Sequence, residues 1–143
     1  MPQNLLHEAF SDGLFRAPAT PIDIEAVEQE LGVALPPQLR ALYAEANGFR
    51  EPKGNAQYLF PLSQGEDGTT LMEMTRFWWN EWPKMRSFIF LGSSSCDYNW
   101  AIRHQEPHDV IAYHHNMGDE FETAGQDLIE VFKSDFAEYD ALE

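Results

Sequence analysis

Between residues 20 and 48 the apolar positions recur every three to four residues. Ile24, Val27 and Leu31 lie at i, i+3 and i+7, and Leu39, Leu42, Tyr43 and Ala46 at i, i+3, i+4 and i+7. That is the spacing of two helices, each with one buried stripe. The limits of both are written in the same stretch. Thr20 suits an N-cap, Pro21 the first helical position, and Asp23 can reach back to the cap. Gly32 ends the first helix because it tolerates a left-handed backbone. Leu35-Pro36-Pro37 forces an extended corner, since a residue before proline avoids helical geometry. Asn47-Gly48 stops the second helix. The pair meets at a stiff corner and cannot bury both stripes by itself, so a broad surface must lie beneath it. A sheet is the natural candidate.

Further on, the period falls to two. Residues 57–62 (QYLFPL) read as a short strand that Pro61 places near an edge, and residues 87–92 (SFIFLG) as a buried strand. In residues 97–104, Tyr98, Trp100 and Ile102 alternate with Asn99, Ala101 and Arg103. A hairpin-length turn at residues 105–108 leads to a strand over residues 109–115, and residues 120–123 suit a brief fifth strand. Such short connections make neighbouring strands antiparallel. Before the second strand, Leu71, Met74, Trp78 and Trp82 mark a helix opened by a Thr70–Glu73 capping box and closed by Pro83. Leu128, Val131, Phe132 and Tyr139 mark a last helix over residues 126–140, and Asp135 on its apolar face predicts a bend or break near Ser134. The whole pattern predicts an α+β fold in a single domain over residues 1–143, with an antiparallel sheet of four to five strands and helices mainly on one face.

The stretch with the corner also resembles the start of the SUKH superfamily, the Smi/Knr domain. That family opens with a helix carrying Glu before Leu-Gly, then Leu-Pro, then a helix closing in Asn-Gly. The matching residues are Glu28, Leu31-Gly32, Leu35-Pro36 and Asn47-Gly48. The strands with LFPL and FIFLG and the helix around DLIEVF follow in the family's order. Two features depart from it: SSSCD replaces the usual glycine-rich turn after the FIFLG-type strand, and the third helix is rich in tryptophan. The resemblance implies helices packed mainly on one face of an antiparallel sheet and a role exercised by binding. Bacterial members of the family are often immunity proteins that neutralise toxins, many of them nucleases. Fungal members regulate cell-wall synthesis through protein contacts.

Charge changes the picture more than length does. The chain has 143 residues, 43% of them apolar, enough for a core. Its 24 acidic and nine basic residues give a net charge of −15. Such a surface repels phosphate backbones, so no nucleic-acid partner is expected. It attracts basic partners and can raise their encounter rate roughly 10–10³-fold. The alternative account of the acidity is solubility or a salty habitat. The single cysteine, Cys96, permits no internal disulfide. The start MPQNLLHEAF has neither a basic segment nor a long apolar run. No uncharged stretch approaches the roughly 20 residues of a membrane helix. These features predict a cytoplasmic protein with no membrane partner.

The residues that invite a chemical reading also have a structural one. His104 and His108 flank the predicted turn beside Asp109, but no zinc spacing supports a metal site, and surface histidines are the simpler account. Cys96, with Asp97 and His115, can be read as a nucleophile and its base or as a small buried hydrophobe. Glu28 is either half of an acid/base pair or, the reading we favour, a carboxylate bonded to backbone donors or to Arg40 that fixes the LPP corner. Trp78 and Trp82 fit the inward stripe; Trp79 is intermediate, and Phe77 stands between core and exposed anchor. No catalytic residue, cofactor or resident metal is assigned.

If helices cover one sheet face, the other is free to dock a protein. On the hairpin its outward set would be Asn99, Ala101, Arg103, Ala112 and His114, with His114 opposite Asn99. Asp97, Glu106, Asp109, Asp119, Glu120 and Glu122 would ring that face, and from Met117 onward there are nine acids and one lysine. The expected partner-binding residues are therefore Asp97, Asn99, Arg103, Glu106, Asp109, His114, Asp119, Glu120 and Glu122. The expected partner is a basic protein, a toxin domain above all. A regulatory or scaffold domain with a housekeeping partner is the alternative, and a small hydrolase or metal-binding protein using the His and Cys residues comes third.

Overall fold

The computed structural model of the chain describes residues 4–53, 56–63, 69–94, 98–114, 116, 118 and 120–141. Helix α1 (Leu5–Ala9) and strand β1 (Leu14–Phe15) precede the cornered pair α2 (Pro21–Leu31) and α3 (Pro37–Glu45). Strand β2 (Phe49–Arg50) returns antiparallel to β1. Helix α4 (Leu71–Glu81) and a 3-10 turn (Pro83–Ser87) lead into β3 (Phe88–Ser93), β4 (Asn99–Arg103), β5 (Val110–Tyr113) and β6 (Glu122–Gly125), and α5 (Leu128–Ala141) follows. The last four strands form one antiparallel sheet in the order β3-β4-β5-β6. The fold is α+β. No helix among the described residues is long and apolar enough to cross a membrane.

The start and stop residues act as their chemistry demands. Thr20 Oγ1 accepts from the Asp23 N–H at 3.1 Å and the Asp23 carboxylate accepts from the Thr20 N–H at 3.1 Å, a complete capping box. Gly32 closes α2 with φ 77°. At α4 only half of the expected box forms: Thr70 accepts from the Glu73 N–H at 3.1 Å without the return bond. At the LPP corner the Leu35 N–H donates to Glu28 Oε2 at 2.8 Å, and Arg40 Nε lies 3.7 Å from the same oxygen. Glu28 therefore clamps the corner. Replacing it with alanine orphans the Leu35 N–H and is expected to cost about 1–2 kcal/mol in urea denaturation, with Glu28→Gln costing less. An alanine variant as stable as the parent would remove the clamp.

Two helices are capped from far away in sequence. Glu45, at the end of α3, accepts from the Leu6 N–H at 2.9 Å and the His7 N–H at 2.7 Å, and also bonds the His7 ring at Nδ1. It supplies the N-cap that Asn4 does not give α1. Gln38 of α3 donates to the Gln126 carbonyl at 2.7 Å and accepts from the Leu128 N–H at 2.9 Å, which seats the start of α5.

Three expectations need correction. Residues 57–62 are extended but form no strand. Leu59 makes an isolated bridge to Phe49, Phe60 N–H donates to the Leu91 carbonyl at 2.7 Å, and Ser93 N–H to the Gln57 carbonyl at 2.8 Å. The segment is shared between the small sheet and the free edge of β3, and Pro61 has no donor to extend either pairing. Helix α5 does not break at Ser134. The buried Tyr58 hydroxyl donates to Asp135 Oδ2 at 2.7 Å, so the acid on the apolar face is satisfied where it stands. Trp82 sits just past the end of α4 and is half-buried, packed against the core from its margin rather than within it.

The core has two parts divided by the sheet. Ile89, Leu91, Trp100, Ile102 and Val110 join Val27, Leu39, Leu42, Leu128 and Phe132 in the main cluster, which holds α1, α2, α3 and α5 against one face. Phe88, Phe90, Ala101, Ile111 and Tyr113 form a second, smaller cluster with Trp78 and Met85. Helix α4 reaches that side by lying along the β3 edge. Thr75 Oγ1 accepts from the Phe90 N–H at 2.9 Å, and Trp79 Nε1 donates to the Phe88 carbonyl at 2.7 Å. The pairing leaves Trp78 turned beneath the sheet, with its ring 4.8 Å from that of Tyr113.

Candidate functional site

Strand register decides which candidates share a face. Ile102 pairs with Val110, Ala101 with Ile111, Trp100 with Ala112 and Asn99 with Tyr113. Tyr113 thus takes the place expected for His114. A shift of one residue reverses every side chain, so Ala112 packs with Trp100 on the main-core side. His114 meets Tyr98, ring centroids 5.5 Å apart. The expected outward set of five is split between the two faces.

The face expected to be open is not open at its centre. Phe88, Phe90, Ala101, Ile111 and Tyr113 are each at most 1% exposed, beneath Trp78, Met85 and the half-buried Met74, Trp82 and Phe121. The physical reason is the β3 edge. Its unpaired backbone groups draw in Thr75 and Trp79, and the bulky residues of α4 come with them.

The seven of the nine expected binding residues that are described fall at two ends of the sheet. Arg103, Glu106 and Asp109 flank the β4–β5 turn, while Asn99, His114, Glu120 and Glu122 lie toward the other end. Asp97 and Asp119 lie outside the described residues. The turn group is internally engaged. Arg103 lies over the Phe88 ring at 4.8 Å and its Nε is 3.9 Å from Asp109 Oδ2, while Asp109 Oδ1 accepts from Gln126 Nε2 at 3.0 Å. Glu106 is exposed beside them. At the other end Glu120 and Glu122 are exposed and have no ion-pair partner among the described residues.

That second end opens into a cleft of about 270 Å³ between β6 and α5. Trp100, Ala112 and Val131 give it an apolar lining, and Glu122, Asp135 and Glu138 bring carboxylates. Trp100 is 6% exposed, and its indole N–H has no hydrogen-bond partner among the described residues. Glu138, like Glu122, is exposed and lacks an ion-pair partner among them. Sequence reasoning named Glu122 but missed the cleft. Its signal was Asp135, an acid on an apolar helical face, which was assigned to a helix break.

The catalytic suspects are occupied otherwise. His7 stacks on Phe15 at 3.8 Å while bonded to Glu45. His104 Nε2 bonds the Arg86 carbonyl at 2.8 Å, and His108 Nδ1 the Arg103 carbonyl at 3.1 Å. Among the described residues no three His, Cys, Asp or Glu side chains are grouped to hold a metal ion. Cys96 and His115 lie outside the described residues. Burial raises the Tyr43 hydroxyl well above the ordinary phenol range. It donates to the Phe60 carbonyl at 2.6 Å, a structural bond. Phe77 is 51% exposed, its ring edge-on to Trp78 at 4.8 Å.

Residues 18–139 match the SMI1/KNR4 family (SUKH-1). No curated protein matches the chain.

Proposed function

The chain belongs to the SMI1/KNR4 family (SUKH-1), which supports a non-enzymatic protein-binding domain in general terms, and from that premise we propose that it is an immunity-type protein that binds and neutralises a basic toxin domain. The observation that carries this reading is the charge. The chain holds 24 acids against nine bases, and Glu120, Glu122 and Glu138 stand exposed at one end of the sheet without internal ion pairs among the described residues. Carboxylates left free in the isolated chain are available to a cationic surface, which they steer from a distance and hold at contact. A nuclease domain, which must itself be basic to hold nucleic acid, is the kind of toxin this charge complements.

Capturing proteins on the tagged chain from its native host, at low and at high salt, tests the reading. A basic protein should be retained at low salt and shed at high salt, because exposed charge pairs are screened. Co-expression with that protein should then restore growth. Capture of a neutral housekeeping protein, insensitive to salt, would instead favour a regulatory or scaffold role and remove the toxin from the account.

A further inference from the structure

We propose that the outer edge of β6 takes up a short extended segment of the basic partner, which pairs with it as a further strand of the sheet. The proposal rests on the protein-binding reading and names the contact by which the partner is held.

The two edges of the four-stranded sheet are β3 and β6, and the chain treats them differently. It closes the β3 edge itself. Trp79 and Thr75 of α4 bond Phe88 and Phe90, and the extended segment bonds Leu91 and Ser93 through Phe60 and Gln57. The direction of the β6 edge follows from the alternation of an antiparallel ladder, in which every second pair exchanges hydrogen bonds. The Arg103 N–H donates to the Asp109 carbonyl at 2.8 Å, so Asp109 and Ile111 turn their backbone groups toward β4, and Val110 and Ala112 turn theirs toward β6. Glu122 stands opposite Ala112 and is bonded there, whereas Thr123 stands opposite Ile111 and directs its N–H and C=O away from the sheet. The same alternation turns Phe88 and Phe90 outward on β3, where α4 meets them.

Nothing meets Thr123. Neither of its outward backbone groups has a partner among the described residues, and Glu122, Thr123 and Ala124 are all exposed. Proline and lysine, which commonly guard such an edge, are absent from residues 120–125. The bulge that sets Gly125 opposite Val110 and Thr123 opposite Ile111 bends the strand after Thr123, so the paired segment is short.

Charge selects the occupant. In a strand paired with β6, the residues on either side of the one bonded to Thr123 point to the same sheet face as Glu122. Glu122 and Glu120 are exposed and have no ion-pair partner among the described residues. Lysine or arginine at those alternate positions complements them. A second copy of this chain would instead bring the same glutamates and another net charge of −15 to the edge, and like charges across a strand pair are destabilising.

The probe is the basic peptide acetyl-TKVKVKT-amide, titrated into the ¹⁵N-labelled full chain. It should shift the Thr123 amide resonance saturably and slow the hydrogen exchange of that amide. Two control peptides separate backbone pairing from charge. N-methylation of both valines keeps the charge but blocks the bonds to the edge, and acetyl-TQVQVQT-amide keeps the bonds but loses the charge. Each should bind about threefold or more weakly than the parent peptide. Thr123→Pro removes the outward donor at a place where an edge strand tolerates proline, and should abolish the shifts of the Glu122 and Ala124 amides. The N-methylated peptide gives the same information on the unaltered chain if that variant does not fold. An unmoved Thr123 amide, or an N-methylated or glutamine peptide within about twofold of the parent peptide, would overturn the edge. The capture experiment separates the two levels. A basic partner held equally well by a folded Thr123→Pro chain removes the edge and keeps the protein-binding reading. Saturable, methylation-sensitive peptide binding with no basic partner captured keeps the edge and removes the toxin.

Discussion

Alanine at Gly92 is expected to prevent folding or to lower stability by roughly 3 kcal/mol or more. The β3–β4 ladder shifts register between Phe90 and Gly92, so that Phe90 faces Ala101 while Gly92 faces Trp100. This bulge brings Gly92 against the extended segment at Tyr58. A Cβ there would stand 1.9 Å from the Tyr58 carbonyl oxygen and 2.5 Å from its carbon. Those atoms are backbone and cannot rotate aside. They are also anchored on both sides, by Ser93 N–H to Gln57 and by Phe60 N–H to Leu91. Relief therefore requires parting the segment from β3, which exposes Tyr58, Leu59 and Phe60, all buried. Soluble yield and the urea midpoint report the outcome. A Gly92→Ala protein within about 1 kcal/mol of the parent would mean that the close approach is not essential.

Trp78→Ala should cost about 3–5 kcal/mol, the range for emptying a large aromatic site. Trp78 is 8% exposed and spans the second cluster, with ring centroids 4.8 Å from Tyr113 and 6.1 Å from Phe90. Its neighbour Phe77 is half exposed, so Phe77→Ala should stay within about 0.5 kcal/mol of the parent. Urea denaturation of the two variants in parallel checks both. If they cost the same, the side of the sheet beneath α4 is not a core. The comparison matters for function, because that face was the docking platform expected from the sequence. A large loss at Trp78 makes it interior and leaves the β6–α5 side as the place for a partner.

What the sequence made legible was local. The capping box, Gly32 and the proline corner fix α2 and α3 through neighbours within a few residues, and the limits read from them match the structure closely. Strands β3 to β5 likewise show in their β-branched and aromatic runs. What stayed hidden depends on contacts across the chain. Helix α1 has five residues and takes its cap from Glu45, 38 and 39 positions away. Strands β1 and β2 have two residues each and present no period to read. The β4–β5 pairing turned on one residue of loop length, and that slip sent Ala112 to the other face from Asn99 and Arg103. At the β6–α5 cleft the Tyr58 hydroxyl donates to Asp135 across 77 positions, a partnership no window of sequence contains.

Helix α3 is only nine residues long, yet Gln38 and Glu45 near its two ends fasten α5 and α1. Helices α1 and α5 are thereby buttoned to one short rod, and they touch each other as well. Loosening either helix should weaken the rod that secures the other, so α1 and α5 are expected to open as a coupled unit. The α5 wall of the acidic cleft thus inherits part of its steadiness from a glutamate that never approaches it.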